Sequence, residues 1–430
     1  MLTSTPVSKG RTYSLVVLFA INLLNFYDRS MPGALTEPVR KEFGLTDAQV
    51  GLMGSAFIWV YAFIGIPLGR VADTWSRRKL LGWGVGIWSL MTAASGLSSS
   101  FITLLVPRMG VGVGEAVCAP TGASWIGDLF PAERRSRALA LFMLGFPIGG
   151  ALSFFFAGSM ADAWGWRAAM VTAAAPALLL IPALLMLEEP TRGATEKATG
   201  EASSMWVVLK IPTMWWIILS GALLNFNMYA IATFLPAMLS RIHHVSNSRA
   251  GLGTGITYLV GGSLGGLLAG WIGDKVVHKR KDGRMLAAAG LALIAVPFSY
   301  LGIIQPEGAI VFSVAMLTVT FGVLNGYYGL VYAAIQDIVL PTQRASAMAI
   351  YFFGMYMAGA SFGPVLTGTL SDLLARRAAA AAGSEIVTEV FRATGLQQAM
   401  LVIPVLSAVL AGVLWIGSRT ILKDAERRAS

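Results

Sequence analysis

Pro107-Arg108-Met109-Gly110-Val111-Gly112-Val113-Gly114-Glu115-Ala116-Val117-Cys118-Ala119-Pro120 lies inside an apolar segment, Phe101 to Phe130, long enough to cross a bilayer as a helix. A charge at the bilayer centre costs roughly 3 kcal/mol or more, so Arg108 and Glu115 require a lined cavity or partners. They are seven residues apart, which sets them on nearly one helix face about 10 Å apart along the axis. Gly110, Gly112 and Gly114 strip the turns between them and let a neighbouring helix or a ligand approach closely. The alternative is a structural ion pair that only locks helices together.

Composition makes the chain a membrane protein. Of its 430 residues 56% are hydrophobic and 13% charged, against about 25% charged in soluble domains. The single cysteine, Cys118, excludes internal disulfides and a cysteine-rich metal site. The three histidines form no ligand pair at zincin spacing, and no P-loop pattern is present. With no nucleophile–base pair legible either, the reading is that the chain is not an enzyme. No cofactor is expected, and a proton gradient is the expected energy source.

Twelve apolar spans are predicted, at about 13–35, 49–72, 80–98, 101–130, 136–158, 167–187, 206–239, 249–272, 285–304, 308–336, 345–370 and 396–418. The polar stretch after Glu188 reads as a linker, giving a first six-helix half at 1–189, a cytoplasmic linker at 190–203 and a second half at 204–430. The run Ala378 to Ala382 predicts helix at the outer surface. With both termini inside, 22 lysines and arginines fall on the cytoplasmic side and 8 outside, with Arg29 and Arg108 inside spans. The net charge of +10 is therefore a topogenic signal facing anionic membrane lipid, and no nucleic-acid partner is expected.

The halves repeat. Gly69-x-x-x-Asp73 recurs as Gly270-x-x-x-Asp274, and Asp128-Leu129-Phe130-Pro131 with Arg134 recurs as Asp337-Ile338-Val339-Leu340-Pro341 with Arg344. Gly158-Ser159-Met160-Ala161-Asp162 matches Gly368-Thr369-Leu370-Ser371-Asp372. An even number of spans per repeat relates the halves by an axis along the membrane normal, with substrate between them near the midplane.

Asn25-Phe26-Tyr27-Asp28-Arg29 interrupts the first span, and helix rise sets Asp28 at a depth similar to Arg108. The two are expected to interact, with Glu115 deeper. Asp28 and Glu115 are the proton-site candidates; Arg29 and Arg108 are their charge partners or substrate contacts. Asn225, Asn227, Asn325 and Tyr328 are candidate pocket groups in the second half, because polar side chains in a membrane usually face the interior. Gly69, Asp73, Arg77, Arg78, Asp128, Arg134 and Asp274 form the candidate conformational latch. A cavity charged on one wall and apolar or aromatic on the other suits an amphiphile with an anionic or zwitterionic head.

Gly69 to Lys79, Arg108 to Glu115 and Gly145 to Gly150 resemble signatures of the major facilitator superfamily. The chain further resembles the spinster branch, through Leu24-Asn25-Phe26-Tyr27-Asp28-Arg29, Gly112-Val113-Gly114-Glu115-Ala116, Ala119-Pro120-Thr121, Asp128-Leu129-Phe130, Arg135-Ser136-Arg137-Ala138 and Glu189-Pro190-Thr191-Arg192-Gly193. That resemblance implies an all-α membrane protein of twelve transmembrane helices, the major facilitator fold, and a secondary transporter of sphingolipids or lysophospholipids working by alternating access. It also implies that Asp28 and Glu115 match acidic positions linked to protonation, and Arg29 and Arg108 basic ones. The short loops point to a bacterial inner membrane, and a monomer is expected. The alternatives are a transporter of small organic anions, such as aryl or sugar acids, and a non-transporting membrane receptor or scaffold.

Overall fold

A computed structural model describes residues 9–191, 205–277, 280, 282–340 and 343–429. The expected linker lies almost wholly outside the described residues, as do the side chains of Asp73 and Asp274. The described residues are helical, with no strand among them.

The first half comprises α1 (Lys9–Ala34), a short α2 (Thr36–Phe43), α3 (Asp47–Thr74), α4 (Arg77–Gly96), α5 (Phe101–Glu115) continued by α6 (Cys118–Leu129), α7 (Ala132–Met143) continued by α8 (Gly145–Trp164), and α9 (Trp166–Leu185). The second half comprises a short α10 (Met205–Leu209), α11 (Pro212–His243), α12 (Asn247–Ile256) continued by α13 (Gly262–Val277), α14 (Gly283–Ile303), α15 (Ile310–Ile338), α16 (Arg344–Met355) continued by α17 (Gly363–Ala381), and α18 (Glu389–Met400) continued by α19 (Val402–Ala429). Counting continued pairs once, six helices in each half are long enough to span a membrane among the described residues. Ten of these are also apolar enough by hydropathy. The other two are α1, of 26 residues, and α4, of 20. Their hydropathy is lowered by polar residues: Asn22, Asn25 and Asp28, all buried, with Arg29 on α1, and Arg77, Arg78 and Lys79 in the first turn of α4, with the buried Ser89, Thr92 and Ser95 beyond them.

Several predicted boundaries move. Span seven begins at Pro212, which lacks an N–H and suits a first helical turn, so the residues before it form the separate α10. The alanine run extends α17 to Ala381, and span twelve reaches from Glu389 beyond its predicted end.

Two apolar cores hold the bundle. One lies inside the first half around Trp88, Trp125 and Phe142. The other fills the second half and continues across the seam to Met31, Leu35, Val39, Met53 and Phe154. The seam is closed at the end remote from the termini, here called the distal end. There a methyl group on Gly51, Gly158, Gly251 or Gly368 would overlap a backbone carbonyl of the other half. Towards the termini, a methyl on Gly69 or Gly270 would meet nothing within 4 Å.

Charges reinforce the distal closure. Arg241 at the end of α11 donates to both Asp47 oxygens at 2.8 and 2.7 Å and to Glu37 at 2.7 Å. Arg40 bridges Glu37 and Glu389, and Ser371 donates to Asp47. The repeated Gly-x-x-x-Asp segments provide a symmetric pair of caps. Asp372 accepts from the amides of Asp47 and Ala48 at the start of α3, and Asp162 accepts from the Ser248 amide and the Asn247 side chain at the start of α12. A carboxylate at a helix N-terminus satisfies orphan N–H groups and complements the helix dipole.

On the terminus side, Arg77 pairs with Asp128 at 2.6 Å and with Glu189 at 3.4 Å, joining α4, α6 and the residues after α9 within the first half. Arg78 donates to the Leu185 and Leu187 carbonyls. These parts of the expected latch therefore tie the first half to itself, and Gly69 serves no close contact here. Partial burial works against the Glu189 charge. Hydrogen bonds from Ser76, the Arg77 and Arg78 amides and the Arg77 guanidinium outweigh it and hold the carboxyl below its ordinary range.

Arg241→Ala leaves Asp47 and Glu37 buried with a lost countercharge, a change that costs about 3–5 kcal/mol for a buried pair. Thermal unfolding in detergent is expected to occur at lower temperature, and Arg241→Lys is expected to recover little because one ammonium cannot bridge both carboxylates. Glu189→Gln tests the lowered carboxyl. The ionised cap stabilises above the ordinary carboxylate range and is lost as pH falls through the lowered folded value, so wild type should exceed the variant in melting temperature at neutral pH and match it in acid.

Candidate functional site

The glycines of the opening stretch let three helices close on one another. A methyl on Gly112 would stand 2.9 Å from the Phe57 carbonyl of α3, and one on Gly114 2.6 Å from the Trp88 amide of α4. Ser100 caps α5 through a reciprocal pair with Thr103, fixing where the helix begins and hence the depth of Arg108. The helix breaks after Glu115, its last residue.

This packing brings Arg108 and Glu115 against α1. Arg108 lies 3.6 Å from Asp28, whose other oxygen accepts from Thr92 of α4 at 2.5 Å. The Arg29 Nε donates to Glu115 at 3.0 Å. Asp28, Arg108 and Glu115 are 5%, 2% and 0% exposed, and the Arg29 side chain 10%, so all four charges are removed from water. The expected Asp28–Arg108 approach is present, and the second pair is Arg29–Glu115. Hydrogen bonding stays incomplete: Asn25 Nδ2, Asp28 Oδ1, Arg108 Nη1 and Glu115 Oε1 are buried without a hydrogen bond. A buried polar atom left unpaired costs about 1–3 kcal/mol, more when charged. The four charges thus form an electrostatically balanced group with capacity for further hydrogen bonds.

Arg29 also faces the seam. Its guanidinium carbon is 4.5 Å from the centre of the Tyr61 ring, 5.0 Å from Phe26 and 5.4 Å from Phe57. Across the seam Tyr356 meets Tyr61 edge to face at 5.6 Å and lies 6.4 Å from Tyr229. Behind these, Tyr328 donates to Asn225 at 3.1 Å, Asn225 donates to the Gly221 carbonyl, and the Tyr332 ring lies tilted 5.6 Å from that of Tyr328. One wall of the seam is charged, and the facing wall is tyrosine-rich.

Two expected pocket groups serve elsewhere. Asn227 donates to the Ile403 carbonyl and to Ser407 of α19, joining helices inside the second half. Two residues on from Asn225 it is turned by about 200°, onto the opposite helix face. Asn325 donates to the Gly262 carbonyl at 2.9 Å and ties α15 to α13. Of the latch residues, Arg77, Arg78 and Asp128 join within the first half as described, and the Arg134 amide donates to the Pro131 carbonyl in the opening turn of α7.

Sequence reasoning missed the distal charges Glu37, Arg40, Asp47, Arg241 and Glu389, which read as ordinary loop-end residues. Asp162 and Asp372 carried the available signal, since they ended a repeated segment. Tyr61 and Tyr356 were also missed, because an aromatic residue in an apolar helix has no distinguishing spacing.

The sequence profile of the Major Facilitator Superfamily matches residues 18–364. The chain is 30% identical to the mouse (Mus musculus) protein spinster homolog 1 over 470 residues, covering 99% of this chain and 84% of that one. It is 30% identical over 362 residues to an MFS-type efflux pump of Mycolicibacterium smegmatis, covering 83% and 84%. Among solved structures, a bacterial homolog of the human lysosomal transporter Spinster, inward-facing and unoccupied, superposes with a TM-score of 0.87 at 27% identity, covering 97% of this chain and 99% of that one. A D-xylose–proton symporter, 16% identical, shares the fold with a TM-score of 0.72. With its paired six-helix halves and its charged first and fourth spans, the chain belongs to the Major Facilitator Superfamily as a spinster-type transporter.

Proposed function

We propose that this transporter moves an amphiphilic lipid, of the lysophospholipid or sphingolipid kind, by proton-coupled alternating access. The observation that carries this reading is the Asp28–Arg108 and Arg29–Glu115 group, buried at the seam and opposed by the tyrosine wall. A small head group with negative charge suits Arg29, and an acyl chain suits the aromatic and apolar surface beyond it. An anionic head group competing for Arg29 would release Glu115, and an uncompensated buried carboxylate takes up a proton to avoid the cost of its charge. Substrate binding and proton uptake would then be coupled at one pair. Asp28, held by Arg108 and Thr92, would be the second proton site.

Orientation follows from the lysine and arginine distribution: with both termini cytoplasmic, the sealed distal end faces outward and the cavity opens inward. In a bacterium this assigns the chain to the inner membrane. Binding to Arg29 and proton uptake at Glu115 then belong to the inward-open half of the cycle. Arg40, Arg241 and their carboxylates hold the opposite face shut.

Lysophospholipid flux in proteoliposomes under an imposed pH gradient tests the reading. Wild type is expected to show gradient-dependent flux, and Glu115→Gln to lose the gradient dependence. Absence of flux from correctly inserted wild-type protein would overturn the lipid assignment, and movement of small organic acids instead would replace it. Arg29→Lys keeps the charge and loses the stacked, delocalised geometry. It is expected to weaken lipid binding by about tenfold, equivalent to roughly 1.4 kcal/mol, as read by titration of a fluorescent lysophospholipid. Unchanged binding would remove Arg29 from the head-group site.

A further inference from the structure

Two of the second-half helices that seal the distal seam, spans eight and eleven, share a feature absent from their first-half counterparts. Span eight is interrupted by a π-turn at Thr257–Gly261, and span eleven by another at Tyr356–Ala360. In the latter the Ser361 amide reaches the Tyr356 carbonyl five residues back, at 2.9 Å. A π-turn carries one residue more than an α-turn and locally relaxes the hydrogen-bond ladder. The repeat-equivalent α3 runs unbroken through Asp47–Thr74, and span five is interrupted at Leu144, between α7 and α8, without a π-turn.

Each π-turn marks the place where its helix parts from the opposite half. Distal to the first, span eight lies against span five through Asn247, Ser248, Gly251 and Gly255. At the turn itself, the Tyr258 ring contacts Gly150 and sits 5.0 Å from Phe154. The last close approach is Gly262, where a methyl would stand 3.3 Å from Pro147. Beyond it, a methyl on Gly266 would meet only Asn325 of its own half, and one on Gly270 nothing within 4 Å. Span eleven shows the same pattern in reverse chain direction. Asp372, Gly368 and Pro364 press on span two, Tyr356 makes its edge contact with Tyr61, and Gly354 on the far side would meet only Ile218 of its own half.

The surroundings suit a repeatedly loosened backbone. Asn325 donates to the Gly262 carbonyl just past the first turn, and Thr257 bonds back to Gly253 and meets Thr318. At the second, the Ser361 hydroxyl donates to the Met357 carbonyl. These groups supply the partners that a disturbed ladder would otherwise lack.

We propose that the two π-turns are hinges: the terminus-side segments of spans eight and eleven swing about Thr257–Gly261 and Tyr356–Ala360 while the distal segments stay sealed. The cavity mouth then opens and closes by bending within the second half, ahead of any rocking of whole halves. Tyr258 and Tyr356 are the fixed bearing points, because each turn holds its ring against the first half.

Spin-label distances in nanodiscs on the unshortened chain, in a Cys118→Ala background, read this without reference to substrate or flux. Labels at the exposed positions Arg137 with Lys275, and Arg70 with Ala349, report the terminus-side ends; Ala163 with Arg249 reports the distal end. The expected result is a broad terminus-side distribution beside a single distal distance. Deleting Val260 or Ala358 restores an α-turn without changing the facing of either flank, and is expected to abolish the terminus-side breadth while the distal distance holds. Terminus-side and distal distances that change in opposition would overturn the hinge in favour of rigid rocking. So would a terminus-side distribution as narrow as the distal one in wild type. Because these two results come from the unshortened chain, misfolding of a deletion variant cannot rescue the proposal. Because no transport is measured, failure of the lipid or proton reading leaves its outcome intact.

Discussion

The cost of carrying charge through hydrocarbon organises this molecule. Asp28, Arg29, Arg108 and Glu115 are tolerable only as members of a group, and each needs its partner at a fixed depth. That requirement explains the glycine stripe of α5, which brings α3 and α4 close enough to enclose the group, and the Ser100 cap that sets the register. It also explains why Thr92 turns inward from a helix that otherwise serves as scaffold.

The same cost is met differently at the two ends of the seam. At the distal end Arg241 is shared between Asp47 and Glu37 across the halves, so closure and charge compensation are one event. At the terminus side Arg77 is satisfied within its own half by Asp128 and Glu189. Among the described residues, Arg241 thus ties the halves to each other at the distal end, whereas Arg77 ties the first half to itself at the other. Near the middle, Arg29 is held twice over, by the Glu115 carboxylate and by the rings of Phe26, Phe57 and Tyr61 around its guanidinium.

Much of this was legible in the chain. Span count, the two-half division and the Asp28–Arg108 approach follow from hydropathy, repeat and helix rise, each a local or one-dimensional property. What stayed hidden depends on which faces meet. Asn225 and Asn227 are equivalent by composition and depth, but they sit on opposite helix faces, one towards Tyr328 and the other towards Ser407. Arg241 lies just beyond the predicted end of its span, where basic residues are common for topogenic reasons. Its role depends on Asp47, 194 residues away. The π-turns have no composition that separates them from ordinary glycine-containing helix.

The exchanged caps at the distal end have a consequence for how the chain is made. Span two receives part of its N-terminal capping from Asp372, 325 residues later in the chain, and span eight receives its own from the first half, 85 residues earlier. During synthesis the early half must wait, with the start of α3 incompletely capped, until the eleventh helix has entered the membrane. The distal seal is thus a late step of assembly: its caps are complete only when both halves are present and in register.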